Sequence, residues 1–415
     1  QRLRHRHRSD DRRPAFLGGL PRPLPTPLSH TGTADARIRT GRKGLNNRGG
    51  GLESAPFMVP DPVPLDAISR ALVIKLRHHG DVLLTSPVFS VLKRAAPQCE
   101  IDALIYGETS PMLEDHPAIA QIHAIDRNWK RQGILRQTAA EWRLLSALKN
   151  RQYDLIVHLT NHPRGAWVAR MTQARWGVAP KADRFYWTGS FTHFYPRASD
   201  ERRHTVESNL DALRRIGIRP ETRDKQLSLI PGVDAESRAD ALMDQHHLHR
   251  GGFVHLHPTS RWMFKAWTVE GYAELITALQ QRGFPVVMTA APVRKELDIA
   301  AAIKALCPAP PIDLSGQLSL RELGALIGRA RLFIGVDSAP MHMAAAVGVP
   351  TVAMFGPSRE LEWGPWGVPH RLVISDQHPC RPCGLDGCGG GKISECLTTI
   401  PVERMLTACT ELLAL

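Results

Sequence analysis

Four segments of the chain combine ionisable or hydroxyl side chains with glycine or proline in patterns that could bind a substrate or move a proton. They are the runs RHHGD, HPTSRWMFK, TAAP and VDSAPMH, which begin at residues 77, 257, 289 and 336. Each run follows a short apolar stretch, which predicts that it lies at the carboxyl end of a β-strand. Ligands of doubly wound sheets bind at that edge. These four segments therefore form the candidate site.

The first segment carries Gly80 and Asp81. Glycine permits a tight turn and the close approach of another backbone. Asp81 has two interpretations. It could cap the following helix by accepting hydrogen bonds from free backbone N–H groups. It could instead act as a general base, which requires an ionised carboxylate within about 3 Å of the hydroxyl that loses its proton.

The second segment places hydroxyls at Thr259 and Ser260 and a point charge at Lys265, ahead of a helix predicted to start near Thr268. A cation beside the N-terminus of a helix is a combination that binds phosphate. The alternative interpretation is an exposed loop lysine next to ordinary capping residues.

In the fourth segment, Asp337 and His342 interrupt an otherwise apolar sequence. Ser338 and Pro340 mark the start of a helix, where proline loses no helical hydrogen bond. Asp337 could cap that helix. It could also bind a sugar or a phosphate, because a carboxylate in apolar surroundings is costly without a partner.

The elements that must position these residues are strands and helices in alternation. The apolar runs predict strands at 71–76, 100–106, 153–159, 253–258, 285–291, 311–316, 332–337 and 350–356. Helical spacing predicts helices at 82–96, 204–218, 234–249, 268–283, 293–306 and 341–347. Short continuous apolar strands that alternate with helices are typical of parallel sheets covered on both faces. The predicted fold is α/β, with two Rossmann-like doubly wound domains that face a cleft.

The length of the chain indicates two domains, and its positive charge is concentrated near the N-terminus. The 415 residues are 43% apolar and 22% charged, which indicates a globular protein of two domains. The formal charge is +13, but the residues before Met58 carry twelve Lys or Arg and four acids, a net of +8, which leaves +5 for the other 358. We predict four parts: a disordered basic extension (1–66), a first Rossmann-like domain (67–232), a second Rossmann-like domain (233–400) and a terminal helix packed on the body (401–415).

The basic extension is rich in proline, glycine and arginine and has no apolar period, so it cannot bury enough surface to fold. It is either dispensable sequence or a basic arm that touches nucleic acid or an anionic lipid. Its apolar FLGGL stretch is too short for a signal peptide. No run reaches the ~18 apolar residues of a membrane-spanning helix. These features predict a cytoplasmic protein.

Four of the seven cysteines, Cys380, Cys383, Cys388 and Cys396, lie close together near the C-terminus. Four thiols at this spacing could form a tetrahedral zinc site, or they could be free or locally paired. No pair of carboxylates with metal-binding spacing is evident elsewhere.

Three stretches together resemble a known family. They are RHHGDVLLTSPVFSVLKRAAP, HPTSRWMFKAW and LSLRELGALIGRARLFIGVDSAPMHMAAAVGVPTVAMFGPS. The chain is similar, from about Arg70 to Leu413, to the ADP-heptose:lipopolysaccharide heptosyltransferases of glycosyltransferase family 9, and most to the heptosyltransferase III branch. The resemblance implies a glycosyltransferase B (GT-B) architecture, in which domain 67–232 binds the acceptor and domain 233–400 binds ADP-heptose. It also implies an enzyme that moves L-glycero-D-manno-heptose from ADP-heptose to the lipopolysaccharide inner core. Transfer would proceed with inversion and without a metal or cofactor.

The resemblance also implies roles for individual residues. Asp81 would be the catalytic base. The donor-binding residues would be Thr259, Ser260 and Lys265 on the diphosphate, Glu296 on the ribose, Asp337 on the heptose, and Ser338, Ala339 and His342 in the rest of the donor cradle. Arg77, His78, His79 and Gly80, which lie next to Asp81, could bind the phosphorylated acceptor, or the RHH run could be a solvated polar loop. Some members have Thr-Gly where this chain has Ser338 and Ala339, and related members often end in a similar cysteine-containing loop.

The implied partners are ADP-heptose and a phosphorylated, lipid-anchored acceptor, so the enzyme would lie peripherally at the cytoplasmic face of the inner membrane. Nucleic acid is not an expected partner, because most of the positive charge lies outside the resemblance. One alternative is a transferase of the same fold that uses another nucleotide sugar. Another is a binding protein that acts through the basic arm, whose affinity would fall steeply with salt.

Overall fold

The computed structural model describes residues 60–131, 133–182, 184–196 and 203–414. Six parallel strands form the first sheet, in the order β3-β2-β1-β4-β5-β6. These strands are β1 (Arg70–Ile74), β2 (Glu100–Tyr106), β3 (Gln121–Ile125), β4 (Leu155–His158), β5 (Trp176–Pro180) and β6 (His193–Tyr195). The helices of this half are α1 (His79–Leu83), α2 (Ser86–Ala95), α3 (Ile134–Asn150), α4 (Pro163–Thr172), α5 (Phe185–Thr188) and α6 (Thr205–Arg215).

The second half repeats the arrangement with six parallel strands in the order β12-β11-β10-β7-β8-β9. Its strands are β7 (Val254–His257), β8 (Val286–Met288), β9 (Ile312–Asp313), β10 (Leu332–Val336), β11 (Thr351–Phe355) and β12 (His370–Ile374). Its helices are α7 (Val233–Gln245), α8 (Val269–Gln281), α9 (Arg294–Leu306), α10 (Leu320–Ile327), α11 (Ala339–Ala346), α12 (Glu360–Trp363), α13 (Glu395–Thr398) and α14 (Val402–Leu413).

Both sheets have the Rossmann strand order, which reverses direction between β1 and β4 in the first sheet and between β7 and β10 in the second. Every residue of β4, β7 and β10 is buried, which explains why these strands read as continuous apolar runs. The reversal leaves a crevice at the carboxyl ends of the two central strands. The residues that follow these four strands are therefore the ones that the fold places in a ligand crevice.

The predicted α/β class is confirmed, and so are the eight predicted strands, although β9, within the predicted 311–316, is only two residues long. One predicted helix is wrong in its bounds. The stretch 82–96 forms two helices, α1 and α2, separated at Leu84 and Thr85. Pro87 has no N–H to donate to the carbonyl of Leu83, so one continuous helix cannot form there.

The predicted basic extension lies outside the described residues except for 60–66. Within that short stretch Val63 is buried, and its N–H donates to the carbonyl of Ile216 at 3.1 Å. The boundary between the two predicted domains, after residue 232, stays a prediction. At the other end of the chain α14 packs on α8 and β12. In the part of the chain that the structure describes, no helix is both long enough and apolar enough to span a membrane.

Five buried histidines and the partly buried His204 make the folded state sensitive to acid. Burial lowers the pKa of five of these six side chains to about 4 and that of His255 to about 3. The five are His116, His158, His204, His257 and His342. An unfolded histidine takes up a proton below about pH 6.5, whereas these side chains stay neutral in the folded protein.

We therefore expect the free energy of unfolding to fall as the pH drops from 6.5 towards 4. Each proton that is taken up on unfolding contributes about 1.4 kcal/mol per pH unit. Urea unfolding at a series of pH values measures the slope. The variant His249→Gln, which changes an exposed histidine, is the control and should leave the slope unchanged. A free energy of unfolding that stays level between pH 6.5 and 5 would contradict the prediction.

Candidate active site

Asp81 lies in the first turn of α1, which directly follows β1 at the crevice of the first sheet. The N-cap of this helix is His78 and no side chain caps it, so Asp81 is not the N-cap. The Asp81 side chain is 13% exposed, and Arg77 Nε lies 3.4 Å from its Oδ1. The carboxylate therefore stands beside one guanidinium and keeps a second oxygen for another contact.

A buried lysine that the sequence patterns did not single out lies at the end of β1. Lys75 Nζ donates to Asn209 Oδ1 at 3.0 Å and to the carbonyl of Leu159 at 3.4 Å. Burial lowers the pKa of Lys75 to about 8, while the charge of Asp81 acts in the opposite direction. A lysine inside the apolar run 71–76 was the signal that could have found it.

The second segment follows β7, at the crevice of the second sheet. Lys265 ends a short 3-10 turn before α8, and its Nζ lies 2.5 Å from Asp337 Oδ2. Asp337 follows β10, so this ion pair bridges the two strands between which the sheet reverses. The Lys265 side chain is 18% exposed and that of Asp337 is 10% exposed. Lys265 is thus not an exposed loop lysine, and Asp337 does not cap α11, whose N-cap is Ser338.

The hydroxyls of Thr259 and Ser260 are both engaged in the protein. Thr259 Oγ1 donates to Glu296 Oε2 at 2.6 Å, and Glu296 also accepts from the N–H of Ala291 at 3.3 Å. Ser260 Oγ accepts from the N–H of Trp262 and donates to its carbonyl, which closes a tight local turn. The structure therefore brings Thr259 and Glu296 together, although 37 residues separate them in the chain.

The two halves meet where α1 lies against α11. A Cβ atom built on Gly80 would lie 2.7 Å from His342 Cδ2 and 3.8 Å from the Cα of Ala339. Only a residue without a side chain permits this approach. Because Gly80 precedes Asp81, the contact fixes the candidate base of the first half next to the helix that follows Asp337 in the second.

His342 is surrounded by the candidate site residues. It is buried, and burial lowers its pKa to about 4, so the imidazole is neutral at pH 7. The charges of Asp337 and Asp81 act to raise this pKa, and the charge of Lys265 acts to lower it. His342 Nδ1 and Ser338 Oγ are buried and have no hydrogen-bond partner among the described residues. Two polar atoms on one helix are thus left for a ligand to satisfy.

The three remaining residues predicted to bind the acceptor lie along the same edge. His79 Nε2 donates to the carbonyl of Glu108 at 2.7 Å. Arg261 Nη1 donates to His78 Nδ1 at 3.4 Å, which is a second contact between the halves. Burial lowers the pKa of both histidines from its ordinary value. Arg77 is more than half exposed.

A cleft of about 310 Å³ opens at the carboxyl ends of β2, β3 and β4, and sequence reasoning missed it. It is lined by Tyr106, Asp126, Arg127, Trp129, Glu141, His162 and Arg164. Arg127 lies 3.8 Å above the Tyr106 ring and pairs with Glu108 at 3.0 Å, and Arg164 pairs with Glu141. Glu108 is also the residue whose carbonyl accepts from His79, so the cleft adjoins the turn that carries Asp81.

The cysteine-rich segment does not form a metal site in this structure. Cys380, Cys383 and Cys388 are exposed, Cys396 is buried, and none is in a disulfide. Burial raises the pKa of the Cys396 thiol to about 11. Within the described ranges, no group of three or more His, Cys, Asp or Glu side chains is arranged to hold a metal ion. The zinc interpretation therefore has no structural support.

Comparison with known proteins identifies the family and agrees with the fold. The profile of glycosyltransferase family 9 (heptosyltransferase) matches residues 141–393, more than half of the chain. Lipopolysaccharide heptosyltransferase 3 of Escherichia coli is 36% identical over 298 residues, which cover 70% of this chain and 84% of the relative.

Two solved structures share the architecture. The glycosyl transferase family 9 protein of Veillonella parvula superposes with a TM-score of 0.73 at 23% identity, over 85% of this chain and 99% of that one. The ADP-heptose lipopolysaccharide heptosyltransferase II of E. coli superposes with a TM-score of 0.66 at 21% identity, over 83% and 98%. The predicted GT-B architecture is thereby confirmed. The chain is a glycosyltransferase and belongs to glycosyltransferase family 9, the heptosyltransferases.

Proposed function

We propose that this enzyme transfers L-glycero-D-manno-heptose from ADP-heptose to the lipopolysaccharide inner core as a heptosyltransferase III, with inversion and without a metal. The observation that carries the proposal is the contact of the turn that holds Asp81 with His342 on α11, the helix that follows the Lys265–Asp337 pair. A base and a phosphate-binding cation on opposite sides of one crevice are what a direct displacement requires. The 36% identity to an enzyme named lipopolysaccharide heptosyltransferase 3 supports the choice of branch.

Asp81 is the base in this mechanism. Its carboxylate removes the proton from an acceptor hydroxyl, and the oxygen forms a bond to the anomeric carbon of the heptose as the bond from that carbon to the diphosphate oxygen breaks. One carboxylate suffices for a single displacement, which inverts the anomeric centre. The proton remains on Asp81, and ADP leaves with the bonding electron pair.

Lys265 stabilises the leaving group. Negative charge grows on the diphosphate in the transition state, and a fixed ammonium group stabilises that charge more than it stabilises the bound substrate. Asp337 holds the Lys265 side chain in place, and its other oxygen is available to heptose hydroxyls. The free backbone N–H groups in the first turn of α11 add positive potential at the same edge.

The remaining donor residues act around this pair. The heptose hydroxyls form hydrogen bonds with Ser338 Oγ and His342 Nδ1, which lack partners among the described residues. Ala339 contacts the sugar through its backbone. Glu296 accepts from the ribose hydroxyls. Thr259 already gives its proton to Glu296, so its main contribution is to orient that carboxylate, whereas Ser260 shapes the loop beside the diphosphate.

The acceptor occupies the first half. We propose that the cleft between α3 and α4 binds the acceptor sugar adjacent to the one that receives the heptose. In this cleft the Trp129 and Tyr106 rings offer apolar faces, and paired charges can form hydrogen bonds with sugar hydroxyls. Arg77, His78 and His79 line the path from this cleft to Asp81, and Gly80 allows the Asp81 turn to pack on His342. The lipid-anchored acceptor requires a peripheral position at the cytoplasmic face of the inner membrane.

Arg164→Gln is expected to raise the KM for the acceptor about tenfold while it leaves the KM for ADP-heptose unchanged. Arg164 lines the cleft and pairs with Glu141, so its loss removes one polar contact and frees a carboxylate. Steady-state kinetics with each substrate varied in turn measures the effect. The control is Arg175→Gln, an exposed arginine at the start of β5, at the opposite edge of the sheet. Equal effects of the two variants would exclude the cleft as the acceptor site.

One assay tests the proposed function. The purified protein is given ADP-heptose and inner-core acceptors that differ by one heptose, and ADP release and the mass of the product are followed. We expect transfer to the acceptor that lacks only the last inner-core heptose, in the presence of EDTA, and an inverted anomeric centre by NMR. Transfer only to a shorter acceptor would identify another branch. Turnover of ADP-glucose or UDP-glucose, with none of ADP-heptose, would overturn the proposed donor.

A further inference from the structure

Large apolar side chains are exposed on three neighbouring helices of the first half. Leu135 and Trp142 on α3, Trp167 on α4 and Phe185 on α5 are between 67% and 91% exposed. Soluble surfaces carry such side chains singly, whereas a group of them on one surface indicates a contact with another molecule. We call the exposed side of α3, α4 and α5 the aromatic surface.

The three helices form one layer over the first sheet. Leu148 of α3, Val168 of α4 and Trp187 of α5 are buried in the same apolar cluster, together with Leu72 and Ile74 of β1. α3 packs directly on α4. One side of each helix is therefore packed on the sheet, and the exposed aromatic side chains lie on the opposite side.

Spacing places these side chains on defined faces. Leu135, Trp142 and Lys149 recur every seven residues, so they lie on one stripe of α3. On α4, Trp167 and Met171 are four residues apart and are both exposed. The Arg170 side chain reaches within 2.9 Å of a Cβ atom built on Gly189, so α4 is adjacent to the end of α5.

The charge of this layer is strongly positive. The three helices carry the five cations Arg136, Arg143, Lys149, Arg164 and Arg170 and the single acid Glu141. Glu141 is paired with Arg164. The other four cations are exposed, and no ion pair joins any of them to a carboxylate of the described residues. Aromatic side chains surrounded by unpaired cations fit the interface of a bilayer that contains anionic lipids.

We infer that the aromatic surface docks the enzyme on an anionic phospholipid bilayer. The inference rests on the proposed function for the nature of the acceptor, and the position of the surface agrees with it. Glu141 and Arg164 line the acceptor cleft and belong to α3 and α4. Trp142 follows Glu141 in the chain, and Trp167 lies three residues after Arg164. A glycolipid whose sugar lies in the cleft would have its acyl chains in the bilayer under this surface.

The test uses the full chain and two kinds of vesicle, one of phosphatidylethanolamine with phosphatidylglycerol and one of phosphatidylcholine alone. We expect the unmodified protein to sediment with the anionic vesicles and much less with the neutral ones. The double variant Trp142→Gln, Trp167→Gln should lose at least about tenfold in partition, because two aromatic side chains leave the interface. The variant Arg136→Gln, Arg143→Gln should lose affinity mainly at low salt.

The matched control is Leu385→Gln, Ile393→Gln, which changes two side chains that are each 61% exposed in the second half. It should bind anionic vesicles like the unmodified protein. Thermal unfolding checks that all variants are folded. Equal binding by the tryptophan variant and the control, or equal binding to both vesicles, would overturn the inference. So would a dimer in solution that only the tryptophan variant abolishes, because the surface would then pair with a second copy.

Activity separates this inference from the proposed function. With a lipid-free acceptor, the tryptophan variant should keep the kcat and KM of the unmodified protein. With an acceptor embedded in anionic vesicles, its turnover should fall about tenfold, in step with its partition. If the unmodified protein transferred heptose to neither acceptor but still bound anionic vesicles, the proposed function would fail and the docking surface would stand.

Discussion

Asp81→Asn is expected to lower kcat for heptose transfer by about a thousandfold and to leave the affinity for ADP-heptose nearly unchanged. The amide has the shape of the carboxylate but cannot accept the acceptor proton. The Asp81 side chain is only 13% exposed and lies in the first turn of α1, so its replacement changes a fixed group at the crevice. Single-turnover measurement of ADP release isolates the chemical step, and calorimetry with ADP measures donor binding.

Two comparisons keep this prediction specific. Asp66→Asn changes an exposed aspartate of the same half and should have no effect on turnover. Gly80 and His342 hold the backbone of the Asp81 turn through a contact that does not involve the carboxylate, so the folded structure of Asp81→Asn should be retained. Turnover within tenfold of the unmodified enzyme, in a folded variant, would remove Asp81 from the role of base.

The central strands could be predicted from the sequence because a strand that is buried on both faces is a continuous run of apolar residues. The runs at 71–76 and 332–337 are apolar at nearly every position, and each leads directly into a segment that carries candidate site residues. The edge strands β3, β6 and β12 were not predicted, and neither was β5, which lies next to an edge. The β3 sequence QIHAI and the β6 sequence HFY mix polar and apolar residues, since one face is less covered or the strand is only three residues long. Hydrophobic periodicity therefore does not predict a strand in these sequences.

Some residues of the candidate site could likewise be predicted from the sequence, and others could not. Asp81, Lys265 and Asp337 could be predicted because each follows a central strand. The cleft could not, since its lining comes from the ends of three strands and from two helices, between Tyr106 and Arg164, and only the strand order brings these together. The approach of Gly80 to His342 is equally invisible in the sequence, where a lone glycine before an acid has many explanations.

The second large effect concerns Lys265. Lys265→Ala is expected to lower kcat about a hundredfold and to raise the KM for ADP-heptose about tenfold, because the cation acts more strongly on the departing diphosphate than on the bound one. Lys265→Arg keeps the charge but not the compact ammonium group, and it should recover part of kcat. Initial rates at varied ADP-heptose measure both parameters.

A structural contribution must be separated from this catalytic one. Removal of Lys265 leaves the carboxylate of Asp337, which is only 10% exposed, without its cation, so Lys265→Ala should also lower the unfolding temperature. The double variant Lys265→Met, Asp337→Asn removes both charges and should recover stability but not activity. Lys304→Ala breaks another lysine–aspartate pair of the second half, with Asp313 at 3.4 Å, and should keep full activity. If the double variant regained turnover along with stability, Lys265 would be a structural partner of Asp337, and the charge that drives ADP departure would have to come from elsewhere in the crevice.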